Sequence, residues 1–189
     1  MPTVIHRLAR WAEETPDAPA QRYKSGGQWK TITAREFRDR VYHLALFFKT
    51  SGELTSNDVG AVLSYNSPQW VQTELATLLA GAKSAGLYPN STAKDIHYVL
   101  GHTQCKVLSV QNREYFEKIT VDGRTLPDHV KTVIVLEGDT SFTQNTVSYE
   151  AALAKGAKLA EKASGELEFA GRALAVRPSG LRCRYGCAR

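Results

Sequence analysis

Val59-Gly60-Ala61-Val62-Leu63-Ser64-Tyr65-Asn66-Ser67-Pro68 is an apolar run of strand length that leads directly into a helix start. The run lacks polar alternation, so both faces of the strand are expected to be buried, as in a parallel sheet. Ser67 is a capping residue and Pro68 fits the first helical position, where its missing N–H has no intrahelical partner to lose. Val71, Leu75, Leu78 and Leu79 are the expected buried stripe of that helix, and Gly81 its stop. Lys83 to Tyr88 reads as the next strand, ending in a turn at Pro89-Asn90-Ser91. Thr92-Ala93-Lys94-Asp95 is a capping box. It opens a helix with Ile96, Val99 and Leu100 inward and Gly101 at its end. Cys105 to Val110 and Thr132 to Leu136 read as strands, with a short helix from Arg113 to Ile119 between them. Strand and helix thus alternate from Val59 to Leu136. The fold class is α/β: a layered, mostly parallel sheet with helices on its faces.

Outward from this unit the signals remain regular. Thr3 caps a first helix running to Glu14, with Val4, Leu8 and Trp11 at core spacing. Ala20 to Lys24 and Gln28 to Ile32 read as two strands joined at Ser25-Gly26-Gly27, where a tight hairpin needs positive φ. Thr33-Ala34-Arg35-Glu36 is a second capping box, and Phe37, Val41, Leu44 and Phe48 share one face of its helix, which stops at Thr50-Ser51-Gly52. Ser148 to Ala163 reads as a helix, and from Gly165 onward the periodicity fades. Residues 1–171 form the expected folded part and 172–189 a basic tail.

Composition narrows the class of function. The chain has 189 residues, 42% apolar and 23% charged, which fits a globular protein and excludes a collagen or a disulfide-rich mini-protein. No apolar run approaches the roughly 20 residues needed to cross a bilayer. Met1 to Trp11 lacks the apolar core and cleavage site of a secretory signal. The formal net charge is +5, from 24 basic and 19 acidic residues. Arg172 to Arg189 contains five arginines and no acid, so the first 171 residues balance at 19 against 19. The basic surplus therefore belongs to the tail, and the body gives a nucleic-acid reading no support.

Chemistry-bearing motifs are scarce. The sequence contains no G-x-G-x-x-G, no G-x-x-x-x-G-K-[ST] and no G-x-S-x-G. The turn Tyr65-Asn66-Ser67-Pro68 has no glycine, and Pro68 removes an amide donor, so it suits a structural helix start better than a pyrophosphate cradle. Cys183 and Cys187 have C-x3-C spacing without the further ligands a zinc site requires. His97 and His102 do not share a helical face and so do not form a metal pair with Cys105. His6, His43 and His129 stand alone in sequence. Asn90-Ser91-Thr92 matches a glycosylation sequon but reads as a turn. The cysteine-poor body fits a reducing compartment.

Several segments, in order, resemble the start of the AMP-forming acyl-adenylating enzymes, with the long-chain fatty acid–CoA ligases nearest. Trp29-Lys30-Thr31-Ile32-Thr33 with Glu36-Phe37 resembles the family's W-x-x-(I/L)-T-(Y/W)-x-E. Val59 to Trp70 resembles V-A-I-x-S-x-N-x-P-E-W. Leu79-Ala80-Gly81-Ala82 followed by Gly86-Leu87-Tyr88-Pro89-Asn90-Ser91-Thr92 resembles A-G-A-x-x-x-x-(I/L)-Y-P-T-S-T, and Cys105 to Val110 fits the next strand. The likeness covers roughly residues 3 to 165. It implies a reaction in which a fatty carboxylate attacks ATP to give an acyl-adenylate and pyrophosphate, and CoA then displaces AMP, with Mg2+ serving the phosphates.

The same resemblance implies a glycine-rich phosphate loop soon after Val176-Arg177-Pro178, where the chain instead reads Ser179-Gly180-Leu181-Arg182-Cys183-Arg184-Tyr185-Gly186-Cys187-Ala188-Arg189. No catalytic, cofactor-binding or metal-binding residue is therefore assigned. The expectation is an N-terminal fragment of a long-chain fatty acid–CoA ligase, inactive alone. Its expected location is cytoplasmic, with the full-length family peripheral at the membrane. It is expected to bind no cofactor or nucleic acid itself and to self-associate through exposed sheet edges. The rival readings are an independent binding module with this fold and a nucleic-acid binder using the arginine tail.

Overall fold

The computed structural model describes residues 3–143 and 145–163. The tail from 172 onward, with its C-x3-C pair and the stretch around Val176, lies outside the described residues. Six helices and seven strands are described: α1 (Val4–Glu14), β1 (Pro19–Ser25), β2 (Gln28–Thr33), α2 (Ala34–Thr50), β3 (Val59–Leu63), α3 (Pro68–Leu79), β4 (Lys83–Leu87), α4 (Ala93–Thr103), β5 (Val107–Val110), α5 (Arg113–Ile119), β6 (Thr132–Val135), β7 (Thr146–Ser148) and α6 (Tyr149–Ala163). β1 and β2 form a separate antiparallel hairpin. The other five strands form one parallel sheet in the order β4-β3-β5-β6-β7.

Each apolar strand divides its side chains between two cores. Val62, Val107 and Ile134 face a layer that includes Phe37, Val41, Leu44 and Phe48 of α2 and Tyr149, Ala152 and Leu153 of α6. Ala61, Leu63, Leu108, Val110, Val133 and Val135 face the other side, against Ile96 and Leu100 of α4 and Phe116 and Ile119 of α5. This is the period of two inherent to a pleated strand, hidden in the sequence because both faces are apolar.

The expected caps form. Thr33 and Glu36 satisfy each other's backbone N–H groups at the start of α2, and Thr92 and Asp95 do so at α4. Ser67 accepts from the Trp70 N–H at 3.1 Å with Pro68 in the first turn of α3. Gly26 and Gly27 both have positive φ, at 59° and 77°, as the hairpin requires.

Four expectations are corrected. First, the buried face of α3 is Gln72, Thr73, Ala76 and Thr77, while Val71 and Leu78 are 37% and 40% exposed. At Thr77 a small residue fits because helix and sheet approach closely, a Cβ on Gly60 lying 2.8 Å from Thr77 Cγ2, while Gln72 is buried through its hydrogen bonds to Tyr149 and Gln21. Second, α1 buries Leu8 and Ala12 rather than Val4 and Trp11. Third, α4 continues past Gly101 to Thr103, and the left-handed residue that ends it is Gln104, φ 52°. Fourth, β7 is a three-residue strand directly ahead of α6, too short to leave an alternation in the sequence.

Candidate functional site

The strand order fixes where a ligand-facing crevice is to be sought. After β3 the chain adds β4 on one side, then crosses to add β5 on the other. In open parallel sheets, the loops at the carboxyl ends of strands flanking such a reversal part from each other and leave a cleft. A cavity of about 580 Å3 opens at this edge, lined by Tyr65 after β3, Pro89 and Asn90 after β4, and Glu114, Tyr115 and Lys118 of α5.

Local hydrogen bonds hold the crevice in shape. The Tyr65 N–H donates to Gln111 Oε1 at 3.1 Å, and the Gln111 N–H donates to the Leu63 carbonyl at 2.9 Å, tying the β3 and β5 loops together. The Tyr65 hydroxyl donates to Asn90 Oδ1 at 3.2 Å. The Tyr65 and Tyr115 rings meet edge to face, 5.9 Å between centroids and 89° between planes. Asn112 caps α5 by accepting from the Tyr115 N–H at 3.3 Å. Lys118 Nζ donates to the Pro89 carbonyl.

Most polar groups of the lining are engaged with neighbours. Partial burial, the Tyr65 hydroxyl and the Glu114 charge push the Tyr115 phenol up, so it stays protonated at neutral pH. Glu117 is engaged by Arg113 at 2.7 Å, and Lys118 is committed to a carbonyl. Two carboxylates and one occupied lysine do not make a phosphate cradle. Among the described residues no group of three or more His, Cys, Asp or Glu is placed to hold a metal.

The residues weighed in the sequence fall elsewhere. His97 Nε2 lies 2.8 Å from the Ile119 carbonyl at the end of α5, and His129 Nε2 lies 2.9 Å from the Leu100 carbonyl of α4. Both are structural ties across more than 20 residues of sequence, which no spacing rule could reveal. His102 stacks on Tyr98 at 5.9 Å on the open side of α4. Cys105 is fully buried, its Sγ 3.1 Å from the Val107 carbonyl, and burial pushes its thiol up to about 12. The crevice itself was not anticipated. Its sequence signal is the pair of polar turns that follow β3 and β4, and the reversal that joins them appears only in the strand order.

The AMP-binding enzyme family matches residues 8–170, which includes the whole parallel sheet and the crevice. The chain belongs to this family. It is 33% identical over 130 residues to the Long-chain-fatty-acid--CoA ligase heimdall of Drosophila melanogaster, covering 67% of this chain and 19% of that protein. It is 31% identical over 131 residues to the Long-chain-fatty-acid--CoA ligase ACSBG2 of Mus musculus, covering 69% and 19%. The chain thus spans about a fifth of the length of these curated relatives. Among solved structures, Brucella canis acyl-CoA synthetase superposes with a TM-score of 0.67 at 21% identity, over 79% of this chain and 26% of that one. The anthranilate CoA ligase AuaEII in complex with anthranoyl-AMP gives 0.67 at 17% identity, over 79% and 27%. These likenesses establish the fold of the described residues as that of an acyl-CoA synthetase N-terminal region. Among the described residues, no helix is long and apolar enough to cross a membrane.

Proposed function

We propose that this chain is the N-terminal portion of an AMP-forming long-chain fatty acid–CoA ligase. The observation that carries this reading is that curated relatives at 33% and 31% identity are named as such ligases and match through one continuous fifth of their length. The whole enzyme would take a long-chain fatty acid, ATP, Mg2+ and CoA, and yield acyl-CoA, AMP and pyrophosphate.

The described portion supplies scaffold rather than chemistry. Phosphoryl and acyl transfer need donors and cations aimed at developing charge in a closed site. The crevice offers phenols, an amide and mostly committed charges. In this reading the catalytic, nucleotide and metal-binding groups belong to the remainder of the enzyme, and this chain binds no cofactor alone. The crevice marks the edge of the sheet that faces the substrates. The folded unit ends near residue 171, a division supported by the end of the family match at 170. The location is cytoplasmic, with peripheral contact to membranes. Alone, the chain self-associates through its free sheet edge.

The coding DNA beyond codon 189 tests the reading. It should contain, in one of three frames, the glycine-rich phosphate loop and the rest of a ligase. Absence from every frame, with a monomeric chain that binds a small ligand saturably, would move the assignment to an independent binding module.

A further inference from the structure

The β1–β2 hairpin stands apart from the five-stranded sheet and presents one face outward. Register pairs Lys24 with Trp29 and Arg22 with Thr31 on that face. The opposite face turns inward: Ile32 is buried, Tyr23 packs on the core, and Gln21 Nε2 reaches the Pro68 carbonyl at 3.4 Å. On the outer face Trp29 is 62% exposed. Two cations lie over its ring, Arg22 Cζ at 5.7 Å and Lys24 Nζ at 5.5 Å from the centroid. Residues 18–35 contain no acid. A Cβ added at Gly26 or Gly27 would meet nothing within 4 Å, so the turn projects into open space.

We infer that this hairpin is a docking surface for an anionic lipid surface, with Trp29 at the headgroup level and Arg22 and Lys24 on the lipid charges. The chemistry is complementary. An indole is amphipathic and favours the interfacial zone, and basic side chains beside it are attracted by the negative surface potential of anionic leaflets. A strand face burying a Trp in the core would not flank it with two exposed cations. Nucleic acid fits less well. A single ring offers no run of stacking platforms, and the charge-balanced body lacks the extended basic footprint of counterion-driven binding. The inference rests on the peripheral membrane contact of the proposed function and places it on the hairpin; the ligase assignment itself is tested separately by the coding DNA.

The full chain, mixed with phosphatidylcholine vesicles containing about a third phosphatidylserine, tests it. The arginine-rich residues 172–189 also attract anionic vesicles, so sedimentation alone is insufficient. The readout is the emission of Trp29, taken as the difference between the chain and Trp29→Phe. It should shift to the blue and be quenched by lipids brominated on their acyl chains, with little change on pure phosphatidylcholine. Arg22→Glu with Lys24→Glu should weaken partitioning by roughly tenfold or more, since each basic residue near an anionic surface contributes about fivefold. Lys24→Gln provides a milder variant, and circular dichroism confirms that each folds. Vesicle binding with Trp29 unshifted and unquenched would overturn the inference, as would salt-sensitive duplex binding that the same variants abolish while vesicle binding persists.

Discussion

Gly156 sits in the middle of α6, where propensity favours alanine over glycine by about 1 kcal/mol. The reason for glycine lies across the helix interface: an added Cβ would fall onto the His43 carbonyl of α2. The clash is with backbone, so whole helices must shift. Gly156→Ala is expected to destabilise by about 3 kcal/mol, the upper part of the range for overpacking, despite its better propensity. Chemical denaturation of the two proteins checks this, and equal midpoints would show that α2 and α6 separate freely. A second residue-scale contact lies nearby. The Tyr149 hydroxyl donates to Gln72 Oε1, and Gln72 Nε2 donates to Gln21 Oε1 at 2.6 Å, linking α6, α3 and the hairpin within the core. Removing one partner leaves a buried acceptor without its donor, at about 1–3 kcal/mol. Tyr149→Phe should therefore lower the denaturation midpoint, while a filled but apolar pair, Gln72→Leu with Tyr149→Phe, should recover part of the loss. Cys105 is the converse case of a reactive atom kept inert. Burial holds the thiol up to about 12, and the thiolate is the nucleophile. In native protein, peptide mapping after alkylation should find Cys105 unmodified, and modified only once denaturant is present.

At the scale of elements, caps and turns carry most of what the sequence discloses. Thr33-Ala34-Arg35-Glu36, Ser67-Pro68 and Thr92-Ala93-Lys94-Asp95 each placed a helix start to the residue, because the capping side chain and its target N–H are three positions apart and need nothing distant. What a helix buries is a different matter. Val71 and Leu78 of the apolar stripe of α3 are exposed and Leu75 and Leu79 only partly buried, whereas Gln72, Thr73, Ala76 and Thr77 are buried. Periodicity locates an apolar face but not the surface that covers it. The crevice was illegible for a related reason: it arises from strand order, which no local signal encodes. The turn before β3 supports a further prediction. Asp58 is partly buried, which opposes its charge. Even so, hydrogen bonds from the Thr55 hydroxyl and N–H, both 2.7 Å, and Lys106 at 3.6 Å hold its carboxyl below the usual range. A carboxyl with a lowered folded pKa stabilises above its unfolded value near 4, and that stabilisation is lost as pH falls through the folded value. Melting temperatures measured down from neutral pH should therefore decline below about 4. Asp58→Asn should lower the neutral-pH midpoint and reduce that acid slope. An unchanged slope would remove Asp58 from the account.

The whole molecule presents one side that is unlike the rest. Val59 to Leu63 and Thr132 to Leu136 carry no charge that would guard an edge, and the order β4-β3-β5-β6-β7 places both inside the sheet. The edges are β4 and β7, and β4, Lys83-Ser84-Ala85-Gly86-Leu87, carries one charge, at its first residue. An edge strand offers unpaired N–H and C=O groups, and lysines, prolines or bulges normally guard it. α3 packs against this same strand, and its outer stripe leaves Val71 and Leu78 open to water. A strand edge whose single charge is Lys83 and two exposed apolar side chains on the helix packed against it are features that can take up another copy. Residues 1–171 have no net charge to keep copies apart. The isolated chain should therefore scatter light as more than a monomer, increasingly so with concentration. Val71→Lys with Leu78→Lys should restore the monomer while leaving the melting temperature within a few degrees, because neither side chain is buried in the fold. The two outcomes that would defeat the argument are distinct. A monodisperse chain at high concentration would mean that this side is closed. Association unaffected by the lysine pair would place the contact on another surface.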